Sequence, residues 1–182
     1  MEQADVNILE KLREGGIGVL TTDTLYGLVG LALKEDVVER IYKLKNRQPD
    51  KPLIILIADR KDLGLFGVAP DEKTQKYLDS VWPGPVSVIL PAPGAPAHLL
   101  RGGEPLAFRL PNKPDLIKIL KEVGPLVAPS ANPEGLPPAT NIAEAKKYFG
   151  DRIDFYLDGG ELRGEPSNLV SLVDGHTKII RG

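Results

Sequence analysis

Three polar clusters in this chain have residue types that could do chemistry, and the first of them follows an apolar run. Residues 21–24 read Thr-Thr-Asp-Thr and come directly after residues 17–20. Hydroxyls and a carboxylate at the carboxyl end of a strand lie where open α/β sheets bind ligands. The same hydroxyls are equally suited to satisfying the backbone of a turn. Spacing alone therefore leaves a ligand site and a simple turn as two open interpretations.

The second cluster is basic and comprises Lys43, Lys45, Arg47 and Lys51. A polyanion site would use the planar fork of Arg47 together with the lysines as point charges. The alternative is structural, because cations are favoured at the end of any helix. Only the close grouping of the four cations favours a binding function.

The third cluster, residues 129–132, reads Pro-Ser-Ala-Asn and follows a short apolar run. Serine, asparagine and proline are common turn residues, so a plain turn is one interpretation. The other is a serine and an asparagine that hydrogen-bond a small ligand at a strand end.

Several kinds of site are excluded by what the chain lacks. It has no cysteine, which removes thiolate zinc sites, iron–sulfur clusters and cysteine nucleophiles. His98 and His176 have no second ligand at metal-binding spacing, so we predict no histidine metal site. The serine-hydrolase elbow Gly-x-Ser-x-Gly and the Walker phosphate loop are both absent. A net charge of −2 also argues against a general nucleic-acid coat.

The elements that must position these clusters alternate between helix and strand, which predicts an α/β fold with a mixed sheet. Asp36 is the predicted N-cap of the second helix, and Asn141 caps a helix that Gly150 ends. A turn around residues 174–175 joins the last two strands, and residues 91–103 form a long loop. The predicted helices cover 3–14, 37–44, 72–79, 114–122 and 142–149. The predicted strands cover 17–20, 53–57, 86–90, 106–110, 126–128, 153–157, 168–173 and 177–180.

The composition predicts one domain over residues 1–182, because the 19 glycines and 17 prolines are spread along the chain and form no single linker. No apolar run reaches the roughly 18 residues needed to cross a bilayer. Residues 1–7 lack the basic start and apolar run of a signal peptide. We therefore expect a cytoplasmic protein that has no membrane partner.

Taken in order, the three clusters and several short motifs resemble the YrdC-type family, the threonylcarbamoyl-AMP synthases. No single motif is specific to the family, but their shared order along the chain is. Because the chain stops after Arg181-Gly182, it resembles the short, single-domain branch. The matching segments are residues 22–28 (Thr-Asp-Thr-Leu-Tyr-Gly-Leu), 45–47, 51–53, 82–85, 107–111, 129–132 with Gly135, 158–160, 166–167 and 180–182.

The resemblance implies a YrdC-like twisted mixed β-sheet flanked by helices, with a large positively charged cavity. It implies that L-threonine, bicarbonate or CO2, and ATP are converted to threonylcarbamoyl-AMP and pyrophosphate, with Mg2+ expected on the ATP. The product would serve the threonylcarbamoyladenosine modification of tRNA, after handover to a tRNA threonylcarbamoyl transferase complex.

The resemblance also implies a role for individual residues, and it implies no metal ligand. Lys45 and Arg47 are the implied catalytic residues. The implied threonine-binding residues are Thr24, Arg109, Ser130 and Ser167. The implied ATP-binding residues are Arg47, Lys51, Asn132, Thr140 and Arg181. Arg109 in particular suits a carboxylate, through bidentate hydrogen bonds.

The chain departs from the family pattern in three places, and two other functions remain open. Thr21 stands where proline is usual, Leu56 where one branch has histidine, and residues 168–169 are Asn-Leu where Thr-Val is usual. One alternative is a non-catalytic double-stranded RNA- or tRNA-binding protein of the same fold. The other is a relative that passes a carbamoyl-adenylate to another acceptor. The complete Lys-x-Arg and Ser-x-Asn motifs favour the enzyme, and the net charge counts against RNA binding as the main role.

Overall fold

The computed structural model describes residues 3–173 and 176–182. The turn predicted around residues 174–175 lies outside the described residues. The helices are α1 (Gln3–Glu14), α2 (Glu35–Lys45), α3 (Glu72–Val81), α4 (Ala97–Leu100), α5 (Pro114–Val123) and α6 (Ile142–Phe149). The strands are β1 (Gly18–Thr21), β2 (Tyr26–Leu31), β3 (Ile54–Leu56), β4 (Val86–Pro91), β5 (Pro105–Arg109), β6 (Leu126–Val127), β7 (Phe155–Tyr156), β8 (Asn168–Ser171) and β9 (Lys178–Arg181). Two 3-10 turns cover Arg60–Phe66 and Gly150–Arg152.

Of the two N-caps predicted from the sequence, one is confirmed and one is wrong. Asn141 accepts a hydrogen bond from the backbone N–H of Glu144, which confirms it as the N-cap of α6. The prediction that Asp36 caps α2 is wrong, because the helix begins at Glu35, two residues earlier than predicted, and Lys34 occupies the N-cap position. Asp36 instead lies in the first turn, where its negative charge is favourable near the helix N-terminus.

Two elements were not predicted from the sequence pattern. β2 is interrupted by Gly27 and Gly30, and glycine weakens the strand signal. The structure shows a packing reason for Gly30, because a Cβ there would overlap the side chain of Val37 on α2. The helix α4 lies inside the predicted loop 91–103 and has only four residues, too few for a periodic pattern.

The strands form one mixed sheet in the order β7-β1-β2-β6-β3-β5-β4-β8-β9. The pairs β1–β7, β3–β5 and β4–β8 are parallel, and the remaining neighbours are antiparallel. One apolar cluster joins the sheet to α1 and α5, and a larger one joins it to α2, α3, α4 and α6. Helices therefore flank both faces, which confirms the predicted α/β fold with a mixed sheet. Within the described residues, no helix is long and apolar enough to span a membrane.

Candidate functional site

A cavity of about 170 Å³ lies where the β1–β2 turn, the start of β3 and the segments after β6 and before β8 meet. Among the ten residues predicted for the site, six line this cavity and four do not. The six are Thr24, Arg47, Arg109, Ser130, Ser167 and Arg181. The charged residues of the lining are therefore three arginines, and they stand beside five residues that carry a hydroxyl, namely the three above, Thr22 and Tyr26.

The turn between β1 and β2 is built around the hydroxyl of Thr22. This hydroxyl donates to the carbonyl of Leu25 over 2.8 Å and accepts from the backbone N–H groups of Thr24 and Leu25, both at 3.2 Å. The hydroxyls of Thr22 and Thr24 lie 3.1 Å apart. The turn interpretation is therefore confirmed, and the turn that Thr22 satisfies also places Thr24 in the cavity wall.

Arg109 ends β5 and is buried, with 4% of its side chain exposed. Its Nη2 lies 3.3 Å from Asp23 Oδ1 and donates to the Thr22 hydroxyl over 3.3 Å. Asp23 Oδ2 accepts a hydrogen bond from the backbone N–H of Asn112, which fixes the carboxylate from behind. Burial lowers the pKa of Arg109, Asp23 opposes this shift and Arg181 adds to it. Its Nε has no hydrogen-bond partner among the described residues, so the guanidinium retains a donor.

The segment after β6 is held against β2 by backbone hydrogen bonds. The N–H of Leu28 donates to the carbonyl of Pro129, and the N–H of Ala131 donates to the carbonyl of Tyr26, both over 2.8 Å. Ser130 pairs with Gly27 as an isolated bridge between these two segments. This pairing places Ser130 in the cavity wall next to the β1–β2 turn.

Lys45, at the end of α2, is buried beneath this segment with 2% of its surface exposed and does not line the cavity. Its Nζ donates to the carbonyl oxygens of Ser130 and Asn132, and Asn132 Oδ1 lies 3.4 Å away. Burial, with a smaller effect from Arg47, lowers the pKa of Lys45 to about 7, and Glu134 opposes the shift. Lys45 therefore reaches the site through the backbone of the segment that carries Ser130.

Residues 47–52, which we call the basic turn, follow α2. Arg47 Nε donates to the carbonyl of Lys51 and its Nη2 to the carbonyl of Pro52, both over 3.1 Å. Arg47 lines the cavity, whereas Lys51 is exposed and forms an ion pair with Glu134 at 2.9 Å. The basic turn therefore places one of its two predicted ligand-binding cations in the wall and the other outside it.

Ser167 precedes β8 and is held by Arg181 of β9. Arg181 Nε and Nη2 donate to the carbonyl oxygen of Ser167 over 3.1 and 2.8 Å. The hydroxyl of Ser167 lies 2.9 Å from that of Ser87, a fully buried residue of β4. The end of the chain thereby contributes both a hydroxyl and a guanidinium to the cavity.

Residues 158–167, which we call the cover segment, lie across the β1–β2 hairpin. The hydroxyl of Tyr26 donates to the carbonyl of Gly160 over 2.6 Å and accepts from the N–H of Gly159 over 3.0 Å. A Cβ at Gly164 would overlap the carbonyl oxygen of Thr24, so two backbones touch there. The cover segment is therefore packed directly on the residues that line the cavity.

Asn132 and Thr140, both predicted to bind ATP, also lie outside the lining. Asn132 is buried, and its Nδ2 donates to the carbonyl oxygens of Pro133 and Leu136. The backbone N–H and the hydroxyl of Thr140 both donate to Glu144 Oε2, over 2.8 and 3.0 Å. These contacts give both residues a local structural role.

Three residues that support the site were given no role from the sequence. Asp23 lies within residues 21–24, and its carboxylate in a run of threonines could have indicated a role in the site. Ser87 interrupts the apolar strand 86–90, which is a weak sign of a polar environment. The sequence around Glu134 gives no indication that its carboxylate pairs with Lys51.

The lining can bind a ligand that carries more than one negative charge. Three guanidinium groups supply forked donors, which match carboxylate and phosphate oxygens. The hydroxyls of Thr24, Ser130 and Ser167 can add short, directional hydrogen bonds, and no cysteine is available as a nucleophile. The arrangement suits binding and charge stabilisation better than covalent catalysis.

Comparisons with known proteins give the family of the chain. A family model described as Sua5_yciO_yrdC, Telomere recombination, matches residues 10–182. A threonylcarbamoyl-AMP synthase of Pyrococcus abyssi is 33% identical over 173 residues, which are 93% of this chain and 51% of that protein. A threonylcarbamoyl-AMP synthase of Cellvibrio japonicus is 32% identical over 167 residues, which are 90% of this chain and 88% of that protein.

The solved structures include one from the same archaeal relative. The crystal structure of P. abyssi Sua5 complexed with L-threonine matches with a TM-score of 0.86 and 33% identity, over 92% of this chain and 50% of that one. The chain thus spans about half the length of the P. abyssi protein. The family model and the identities over most of the chain lead to one conclusion: the chain belongs to the Sua5/YciO/YrdC family.

Proposed function

We propose that the protein is an L-threonylcarbamoyladenylate synthase, which makes threonylcarbamoyl-AMP and pyrophosphate from L-threonine, bicarbonate or CO2, and ATP. The observation that carries this proposal is the cavity wall, where Arg109 and three hydroxyls stand beside Arg47 and Arg181. The names of its relatives and the threonine complex of P. abyssi Sua5 support it.

In this proposal the amino acid occupies the end of the cavity formed by Arg109, Thr24, Ser130 and Ser167. Arg109 would bind the threonine carboxylate, because it is buried, forked and retains a donor. The hydroxyls of the other three would accept from the ammonium or donate to the carboxylate. A small polar amino acid matches this set better than a large apolar one.

The nucleotide would occupy the adjoining part of the cavity. Arg47 and Arg181 line the cavity and would contact phosphate oxygens directly. Lys51, Asn132 and Thr140 would join them only after giving up the partners described above. Lys45 would act from beneath, by holding Ser130 and Asn132 in place and adding positive charge when protonated.

The chemistry needs positioning more than a reactive protein group. The threonine nitrogen adds to the carbon of CO2, loses a proton and becomes a carbamate. A carbamate oxygen then attacks the α-phosphorus of ATP, a P–O bond forms, and the bond to the β-phosphate oxygen breaks with release of pyrophosphate. Holding the two anions together is costly, and fixed guanidinium donors lower that cost in the transition state.

Magnesium would enter as part of the MgATP substrate. Within the described residues there is no group of three or more His, Cys, Asp or Glu side chains that could hold a metal ion. The charged lining residues are all arginines, so the wall offers no carboxylate to a cation. The phosphates and water would therefore supply the ligands of the ion.

The proposed product would be passed to a tRNA threonylcarbamoyl transferase complex in the cytoplasm. A mixed anhydride of a carbamate and a phosphate reacts readily with water, so direct handover would protect it. We propose that residues 1–182 act as a single domain in this step.

A pyrophosphate-release assay tests the function. Protein, MgATP and bicarbonate are mixed with each of the common amino acids in turn, and pyrophosphate is measured. We expect release that depends on L-threonine and on bicarbonate. Release with no preference for an amino acid would point to another acceptor. Salt-sensitive RNA binding without any release would identify an RNA-binding protein instead.

The same assay tests the two cations assigned to the reaction. We expect Arg47→Ala and Lys45→Ala to lower the rate at least tenfold, since each removes charge or order from the site. Arg60→Ala and Lys43→Ala are matched controls outside the lining and should keep the wild-type rate. Full activity in both site variants would remove the assignment.

A further inference from the structure

Ser87 is a polar side chain in an apolar setting. It lies on β4, an internal strand between β5 and β8, and is fully buried. A buried hydroxyl is costly unless it is hydrogen-bonded, and serine is a poor strand former beside the valines at 86 and 88. The strand would be more stable with an apolar residue here, so the hydroxyl needs another explanation.

The single partner of this hydroxyl within the described residues is Ser167, at 2.9 Å. One proton lies between the two oxygens, and either serine can supply it. If Ser167 donated, the proton of Ser87 would be left buried with no acceptor. If Ser87 donates, its proton is used and the proton of Ser167 stays free. The second arrangement is favoured because Ser167 lines the cavity, where its proton can reach water or a ligand, whereas the proton of Ser87 has no other acceptor within the described residues.

The other neighbour of Ser167 strengthens this direction. Nη2 of Arg181 lies 3.5 Å from the Ser167 hydroxyl oxygen and is a donor only. The oxygen of Ser167 is therefore approached by two donors, and neither Ser87 nor Arg181 accepts its proton. Because Ser167 lines the cavity, that proton is available to an acceptor held inside it.

We propose that Ser87 is a positioning residue that fixes Ser167 as a hydrogen-bond donor to a carboxylate or carbamate oxygen of the substrate. The inference rests on the proposed function, since it requires an amino acid in this end of the cavity. Ser87 itself does not touch the ligand and acts only through Ser167.

The test is threonine binding by isothermal titration calorimetry together with steady-state kinetics. We expect Ser87→Ala to weaken threonine binding roughly three- to tenfold, the effect of one lost neutral hydrogen bond. The KM for threonine should rise by a similar factor, while the KM for ATP stays unchanged. Ser171→Ala on the neighbouring strand β8 is the matched control and should behave as wild type.

A double-mutant cycle separates positioning from a general structural effect. Ser87→Ala placed in a Ser167→Ala background should change threonine affinity less than about twofold, because Ser87 has nothing left to orient. Effects that multiply would contradict the proposal. If Ser87→Ala does not fold, Ser87→Cys keeps the volume while supplying only a weak donor, and it replaces the alanine variant throughout.

The proposed function and the inference about Ser87 are contradicted by different results. Wild-type protein that binds no threonine would overturn the proposed function, and this inference with it. Wild-type protein that binds threonine, with Ser167→Ala weakened and Ser87→Ala unchanged, would overturn the inference alone.

Discussion

Arg109 and Lys45 are both buried cations, but their charges are compensated in different ways. Arg109 has the carboxylate of Asp23 at 3.3 Å, whereas Lys45 has neutral carbonyl and amide oxygens. A carboxylate stabilises the charged form far more than a carbonyl does. Arg109 therefore remains a permanent cation, and Lys45 has its pKa lowered to about 7.

The buried ion pair between Arg109 and Asp23 predicts that Asp23→Asn strongly lowers stability. The substitution keeps the shape and leaves a buried guanidinium with no counter-charge, so we expect the free energy of unfolding to fall by about 3 kcal/mol. Asp115→Asn removes a pair with Lys118 that is exposed, and should cost less than about 1 kcal/mol. Urea unfolding at pH 7 measures both, and equal small losses would show that the Asp23 pair is not important for stability.

Lys45 predicts a dependence of stability on pH. Between pH 7 and 10.5 the unfolded chain carries one more proton at this residue than the folded protein does. The free energy of unfolding should therefore rise with pH in this window, by at most about 1.4 kcal/mol per unit from this group. We expect Lys45→Met to lose that rise.

Urea unfolding at pH 7, 8 and 9 measures the slope of stability against pH in each variant. Lys43→Met, on an exposed position of the same helix, should keep the wild-type slope. Equal slopes for the wild type and Lys45→Met would show that Lys45 titrates near its ordinary pKa in the folded protein.

Among the elements, the cover segment is held in place by its contacts with the β1–β2 hairpin rather than by the hydrogen bonds of a helix or strand. It has no helix or strand of its own before β8, and its place is set by Tyr26 and by the backbone contact at Gly164. Its last residue, Ser167, is part of the cavity wall. A shift of the segment therefore changes the site directly.

We expect Gly164→Ala to raise the KM for threonine at least tenfold, because the new methyl group pushes the segment away from Thr24. Stability should fall much less, since most of the segment is exposed and packs little apolar surface. Gly64→Ala is the control, as a Cβ there meets no atom within 4 Å. Pyrophosphate release gives the KM and thermal unfolding gives the stability. An unchanged KM in Gly164→Ala would show that the contact with Thr24 does not position the site.

The elements also show which parts of the fold were predictable. α3 and α6 have side-chain caps from Asp71 and Asn141, and such local signals mark a helix start. β2 lacks such a signal, because it contains two glycines, of which Gly30 is needed for close packing against α2. The predicted strand 153–157 is longer than β7, which pairs with β1 at only two positions. Pairing partners set strand lengths, and these are remote in the sequence.

At the scale of the whole molecule, the sequence predicted a set of site residues but did not predict how deeply each of them is buried. Motif order placed Arg109, Ser130 and Ser167 together, and the structure brings all three to one cavity. The burial of Lys45 depends on carbonyl oxygens 85 and 87 residues away, so no local pattern could predict it. The same holds for Ser87, whose partner lies 80 residues further along.

The parallel pair β1–β7 joins Gly18 to Phe155, and the cavity wall runs from Thr22 to Arg181. Such long-range pairing requires a large loss of chain entropy before the stabilising contacts can form. Chains rich in non-local contacts therefore fold more slowly than chains rich in local ones. On the ribosome, β1 must wait until residues 155 and 156 have been made before it can pair with β7, and one of its edges stays unpaired in the meantime. The ligand cavity can be completed only after Arg181 has been made, so ligand binding must follow the folding of the elements that precede it.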